Sequence, residues 1–213
     1  MFLAAVQLGL ALIDMSGILP DCSAMLDPEL IEGKIAAIMK TTLADTSSRV
    51  FFALWPSVAE SAALNRWQTT LRCGGRVMRP DSLHTTLLFL GNVDVARLEA
   101  LTLAAEEISA DDFDLCFDEV RYWQHNHIVY AAPDVIPEKL QQLVKSLARQ
   151  LSLHDFQFEQ REYQPHVTLL RNAQPCPLPK VPQVVWTVRE FVLVQSKSGE
   201  YRALAHFPLS VSV

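Results

Sequence analysis

The sequence predicts one domain of mixed helices and strands, built as two related lobes, and three observations carry that prediction. A short apolar run, an amphipathic helix and a strand opening His-x-Thr-Leu occur in that order at residues 50–88 and again at 128–170. The end of the chain reads as a long hairpin, about 184–196 and 201–211, turning at Lys197-Ser-Gly-Glu200. Half of the 213 residues are apolar and a fifth are charged, the composition of a chain that buries a core. A pattern repeated in this way points to two lobes packed about a pseudo-twofold axis.

Each element has its own local cause. Arg49-Val-Phe-Phe-Ala-Leu-Trp55 is an apolar run of strand length, ended by Pro56. Ser57 and Glu60 stand at the spacing of a capping box, in which the two side chains satisfy free N–H groups of the first helical turn. Leu64, Trp67 and Leu71 share one face of the helix so opened, and Gly74-Gly75 is expected to stop it. A strand is expected over His84–Leu90, closed by Gly91-Asn92, after which Asp94 caps a helix with a buried stripe of Leu98, Leu101, Ala105 and Ile108. Strands follow near 113–123 and 127–132. Pro137 suits the first turn of another helix, along which Leu140, Leu143, Leu147 and Leu151 fall on one face. His166–Leu170 is the strand before the final hairpin.

These elements fill 47–213, the expected domain. Residues 1–46 read as an N-terminal extension, either poorly ordered or the product of a misassigned start with Met39 as the true one. Met1–Ile13 is apolar, but it lacks a basic leading segment and meets Asp14 too soon to span a bilayer; a weak secretion signal is a third reading. No later stretch is apolar for long enough, so no membrane partner is expected. Cys22, Cys73, Cys116 and Cys176 are scattered without a Cys-x-x-Cys pair, which suggests neither a zinc ribbon nor a dense disulfide framework and fits a cytoplasmic location. Nothing requires more than a monomer.

The net charge of −6 argues against a protein that grips long duplexes through a basic surface. The charge is uneven, however. Arg66, Arg72, Arg76 and Arg79 fall within 61–80, where there is no acid. A strand end or a small anion needs only such a local patch.

The two His-x-Thr-Leu segments carry the chemistry. In a strand, residues i and i+2 point to one face, so His84 projects with Thr86, and His166 with Thr168. Facing lobes would supply two imidazoles and two hydroxyls around one point. That set suits the opening of a cyclic phosphodiester: one imidazole takes a proton from water and the other gives one to the departing oxygen. Histidine suits both tasks because its reference pKa is about 6.5. The threonine hydroxyls can hydrogen-bond the non-bridging phosphate oxygens where charge builds up. Arg171, three residues past Thr168, is the arginine best placed to add to this. No metal or other cofactor is required. Either motif alone would be a weak signal, since a lone strand histidine is usually structural; the duplication gives the pair its force.

His84-Thr-Thr-Leu87 and His166-Val-Thr-Leu169 resemble the two signatures of the 2H phosphoesterase superfamily. The opening Arg49-Val-Phe-Phe-Ala53, Leu83–Gly91, Pro165–Arg171 and Phe191-Val-Leu-Val-Gln-Ser196 resemble one branch of it, the bacterial RNA 2′,3′-cyclic phosphodiesterases, also called 2′-5′ RNA ligases. The resemblance covers about 49–210 and implies an α+β bilobal fold: two pseudo-twofold-related antiparallel sheets, helices outside and a central cleft. It also implies that His84 is the proton donor and His166 the proton acceptor, and that the product is a 2′-phosphomonoester. RNA ends or small cyclic nucleotides would be the substrates, and tRNA halves the partners in 2′-5′ joining. Two other readings stay open: a 2H enzyme acting on another cyclic nucleotide, and an RNA- or tRNA-binding module of this fold without turnover.

Other residues have plainer explanations. His125 and His127 have the spacing of strand metal ligands but lack a third partner at a helpful offset and fall at an expected turn. His154 and His206 read as surface or edge residues. Trp55, Trp67, Trp123 and Trp186 can stack on bases but sit where core aromatics are expected. Phe51 is a candidate to line the cleft beneath a substrate base. Arg72, Arg76 and Arg79 either guide RNA toward His84 or form a solvated loop.

Overall fold

The structure, a computed structural model, describes residues 46–211. The expected extension over 1–46 lies, apart from its last residue, outside the described residues. In chain order the elements are β1 (Ser47–Leu54), α1 (Val58–Thr70), β2 (Arg76–Val77), β3 (Thr85–Asp94), α2 (Leu98–Glu106), β4 (Phe113–Phe117), β5 (Glu119–Trp123), β6 (Ile128–Ala132), α3 (Glu138–Leu153), β7 (Val167–Arg171), β8 (Val184–Val188), β9 (Glu190–Lys197) and β10 (Glu200–Pro208).

Local chemistry explains most boundaries. Ser57 caps α1 through its hydroxyl, which accepts from Glu60 N, while Glu60 accepts from Ser57 N at 2.6 Å, completing the capping box. The helix ends at Thr70 with an extended Leu71, before the glycine pair expected to stop it. β3 runs through Gly91-Asn92 to Asp94, because Gly91 adopts φ 72° and stays paired with Val50. Asp94 accepts from Ala96 N at 2.9 Å and opens a 3₁₀ turn that leads into α2. Pro137 stands one position before α3, whose Leu140, Leu143, Leu147 and Leu151 are all buried.

Every pair among the named strands is antiparallel. The main sheet runs β10-β9-β1-β3-β7-β6-β5, with β2 added on β7, and β4 pairs with β8 in a second, two-stranded sheet. Two expectations change here. The strand expected over 113–123 divides at Asp118, and the long hairpin loses its first part at Arg189, since β4 and β8 leave the main sheet to pair with each other. The main sheet is itself two halves, β10-β9-β1-β3 and β2-β7-β6-β5, which meet through one residue pair, Thr85 opposite Val167.

Helices cover one face of this sheet. α1 packs against β7 and β8, α2 against α3 and β10, and α3 against β3. Val50, Phe52 and Leu54 of β1 point into the main core with Leu64, Trp67, Leu101 and Leu140. Phe51 and Ala53 point the other way, into a small cluster with Val192, Val194 and the partly buried Trp55, Phe89 and Tyr201. Ile128, Tyr130, Ala132 and Trp123 make the matching cluster of the other half. Strand alternation thus builds a thick core on the helical side and an aromatic floor on the open side.

Thr85, at the junction, is fully buried and its Oγ1 has no hydrogen-bond partner. Val167 opposite has the same shape without the hydroxyl. Thr85→Val is therefore expected to stabilise the fold by about 1 kcal/mol. Urea denaturation measures this, and a lowered midpoint would contradict it.

The four scattered cysteines gave no sign of pairing, but Cys73 and Cys176 form a disulfide with Cα atoms 5.1 Å apart. They are separated by 103 residues in sequence, so no local spacing advertises the bond. Cys116 is free.

Candidate active site

His84 lies immediately before β3 and His166 immediately before β7, the two strands that meet at the sheet's centre. Both line one cavity of about 250 Å³ with Thr86, Thr168, Arg171 and Phe51. The six residues singled out in the sequence are therefore brought together.

The duplication extends to the backbone. Phe52 pairs with Leu88 and Ala53 with Thr86, which leaves Leu87 as an extra residue in β3. Val129 pairs with Leu170 and Tyr130 with Thr168, which leaves Leu169 as the extra residue in β7. The leucine of each His-x-Thr-Leu is thus a β-bulge, and a bulge shifts the alternation of side chains by one. This is why Arg171, an odd number of residues past Thr168, lines the same cavity as Thr168. Phe89 is its counterpart in the first lobe and lines the cavity three residues past Thr86. The site has a near-symmetric frame with a cation at one corner and an aromatic ring at the other.

Each imidazole is held in the same way. Nδ1 of His84 lies 2.8 Å from Ser82 O, and Nδ1 of His166 lies 2.8 Å from Gln164 O, both two residues upstream. A carbonyl only accepts, so each neutral ring carries its proton on Nδ1 and leaves Nε2 to exchange protons. Trp55 stacks on His84 at 5.1 Å and 7°, while Tyr201 meets it edge-on at 4.9 Å. Trp123 and Tyr130 meet His166 edge-on at 4.5 and 5.7 Å. The sequence did not single out Tyr201 and Tyr130, and Trp55 and Trp123 read there as core. Their role depends on which face of a strand end meets the histidine, which periodicity does not reveal. Trp67 and Trp186 are buried core, as expected.

Burial lowers the pKa of His84 to about 4, with His166 and Arg171 adding positive potential and the Ser82 carbonyl opposing. Burial also lowers that of His166, helped by Arg161 and Arg171 and opposed by the Gln164 carbonyl. Both imidazoles are therefore neutral near neutral pH in the protein alone. Neither threonine hydroxyl nor the Arg171 guanidinium has a protein hydrogen-bond partner among the described residues, so all are available to an anion.

His125 and His127 lie in the turn between β5 and β6, with His127 Nδ1 3.0 Å from the Tyr122 hydroxyl. Among the described residues no group of three or more His, Cys, Asp or Glu is arranged to hold a metal ion. No helix among them is long and apolar enough to cross a membrane.

Comparison with known proteins identifies the family and the fold. The chain is 32% identical over 158 residues to the RNA 2′,3′-cyclic phosphodiesterase of Escherichia coli, covering 72% of this chain and 90% of that protein. It matches the crystal structure of apo E. coli LigT with a TM-score of 0.72 and 29% identity, covering 78% of this chain and 99% of that one. E. coli LigT complexed with 3′-AMP matches with a TM-score of 0.71 and 29% identity, over 76% and 98% of the two chains. The model of the 2′-5′ RNA ligase superfamily matches residues 54–200. With that match spanning both histidine motifs and most of the described fold, the chain belongs to the 2′-5′ RNA ligase superfamily.

Proposed function

We propose that this protein hydrolyses 2′,3′-cyclic phosphates at RNA ends to 2′-phosphomonoesters. The observation that carries the proposal is the pair of imidazoles, each with an exchangeable Nε2, in one cavity with two unpartnered hydroxyls and Arg171. His166 takes a proton from water as the water oxygen bonds to phosphorus. The bond from phosphorus to the 3′-oxygen breaks, and His84 gives that oxygen its proton. Thr86, Thr168 and Arg171 bind the non-bridging oxygens, where negative charge grows. Phe51, 5.1 Å from the His84 ring, packs beneath the nucleoside. An adjoining cavity of about 500 Å³ shares Thr86, Phe89 and His166 with the site and gives a nucleoside room. A 5′-hydroxyl in place of water would give a 2′–5′ linkage by the same two proton transfers.

The names of the relatives support an RNA end as substrate, and the protonation of the site makes a testable demand. The donor must be an imidazolium, yet burial favours the neutral form of both rings. A bound phosphate anion favours the charged ring. In turnover of a nucleoside 2′,3′-cyclic phosphate, the basic limb of kcat is thus expected at higher pH than that of kcat/KM, since the first reports the complex and the second the free enzyme. Coincident or reversed limbs would count against a buried imidazolium donor. Absence of turnover with any cyclic phosphate, with or without chelator, would sink the proposal and favour a binding module.

A further inference from the structure

Four arginines cluster in 61–80, and the structure separates their roles. Arg72 donates to the carbonyls of Thr69 and Leu71, closing its own helix end. Arg79 pairs with Asp81 at 3.1 Å. Arg66 and Arg76 are both exposed, and no carboxylate or other protein partner meets either guanidinium among the described residues; Arg76 differs in lying on a strand of the main sheet. In the β2–β7 ladder it stands directly opposite Arg171, which lines the cavity.

Residues directly opposite in an antiparallel pair project to the same face, and like charges so placed repel. No acid offsets this pair. Even so, the two-residue strand that carries Arg76 is pinned on all sides. Gly75, at φ 80°, lies so close to β7 that a Cβ there would be 2.5 Å from Arg171 O and 2.7 Å from Asn172 O. Met78 N donates to Leu169 O at 2.9 Å, and Gln174 N donates to Cys73 O at 2.7 Å. Gln68 Nε2 joins the carbonyls of Met78 and Leu169 from below. The Cys73–Cys176 disulfide ties the flanking loops. The fold thus holds Arg76 on the same face of the sheet as Arg171, one strand outward from the cavity that Arg171 lines, an arrangement that a bound anion would stabilise.

In the proposed reaction the reacting phosphate would meet Arg171 from the side of the two imidazoles, with which it lines the cavity. We infer that Arg76 holds a second phosphate, the internucleotide phosphodiester next to the cyclic end, so that the site reads an oligonucleotide terminus in preference to a mononucleotide. This rests on the reading of the site as acting on a cyclic phosphate at an RNA end. It gives a role to one arginine of the acid-free stretch 61–80 in a chain of net charge −6.

The test compares kcat/KM for a nucleoside 2′,3′-cyclic phosphate with that for a dinucleotide ending in the same group, at low and at moderate salt. In Arg76→Gln the ratio of dinucleotide to mononucleotide kcat/KM is expected to fall about tenfold, mainly through the dinucleotide KM, in line with one charge-assisted contact. The salt dependence of the dinucleotide KM should weaken with it, because one phosphate contact is lost. Arg76→Lys should keep part of the ratio. An unchanged ratio in Arg76→Gln would overturn the inference, whether both substrates are affected equally or neither is. Failure of the unaltered protein to turn over either substrate would instead remove the reading beneath it, and the two failures are told apart by that control.

Discussion

Replacing either His84 or His166 by alanine is expected to lower kcat on a nucleoside 2′,3′-cyclic phosphate by about a thousandfold, with the thermal midpoint close to that of the unaltered protein. Positioned proton transfer contributes about 10²–10⁴-fold. In the proposed mechanism the two rings act on one phosphate in one step, so the double variant should lose little more than the worse single one. The geometry makes the loss hard to repair. Each ring is fixed by a carbonyl at 2.8 Å and by aromatic neighbours, a placement that no other titratable side chain at these positions supplies once the imidazole is removed. Near-normal turnover in either variant would remove that histidine from the mechanism. Multiplicative losses in the double variant would show that the two act in separate steps.

Gly75→Ala is expected to destabilise the protein by about 3 kcal/mol. A left-handed backbone costs a non-glycine residue about 1–2 kcal/mol. The added Cβ would also fall 2.5–2.8 Å from three backbone atoms of the Arg171–Ala173 segment, which cannot give way as a side-chain tip can. β2 would have to leave β7, carrying Arg76 with it. Chemical denaturation measures the stability, and a midpoint equal to that of the unaltered protein would show that the close approach is not needed. Gly74, with φ 61° and open space around its Cβ position, serves as the control: its substitution carries only the backbone cost.

Sequence made visible the features that depend on neighbours along the chain. The Ser57–Glu60 box, the Leu140–Leu151 stripe and the repeated His-x-Thr-Leu are all local patterns, and local patterns survive as read. The histidines could be paired because the motif recurs, and the cavity that unites them follows from the antiparallel meeting of β3 and β7. What was not legible depends on residues far apart. The departure of β4 and β8 to form their own sheet is a choice of partner, and the alternation of their side chains is the same in either sheet. The disulfide joins loops over a hundred residues apart. The bulges at Leu87 and Leu169 cannot be told from ordinary strand positions, so strict alternation would have turned Arg171 away from the site.

The strand order has a consequence for how the protein is made. β1, the first element of the described domain, is flanked by β3 on one edge and by β9, nearly the last, on the other. Tyr201, which presses on the His84 ring, and Ser196, which lines the cavity, also come from that late segment. As the chain leaves the ribosome, the second half of the sheet can pair while the first still shows a bare, apolar edge of Val50, Phe51, Phe52 and Ala53 to anything nearby. The cavity is thus among the last parts to close, and until Glu190–Pro208 arrive the nascent chain carries an unpaired strand edge open to mispairing.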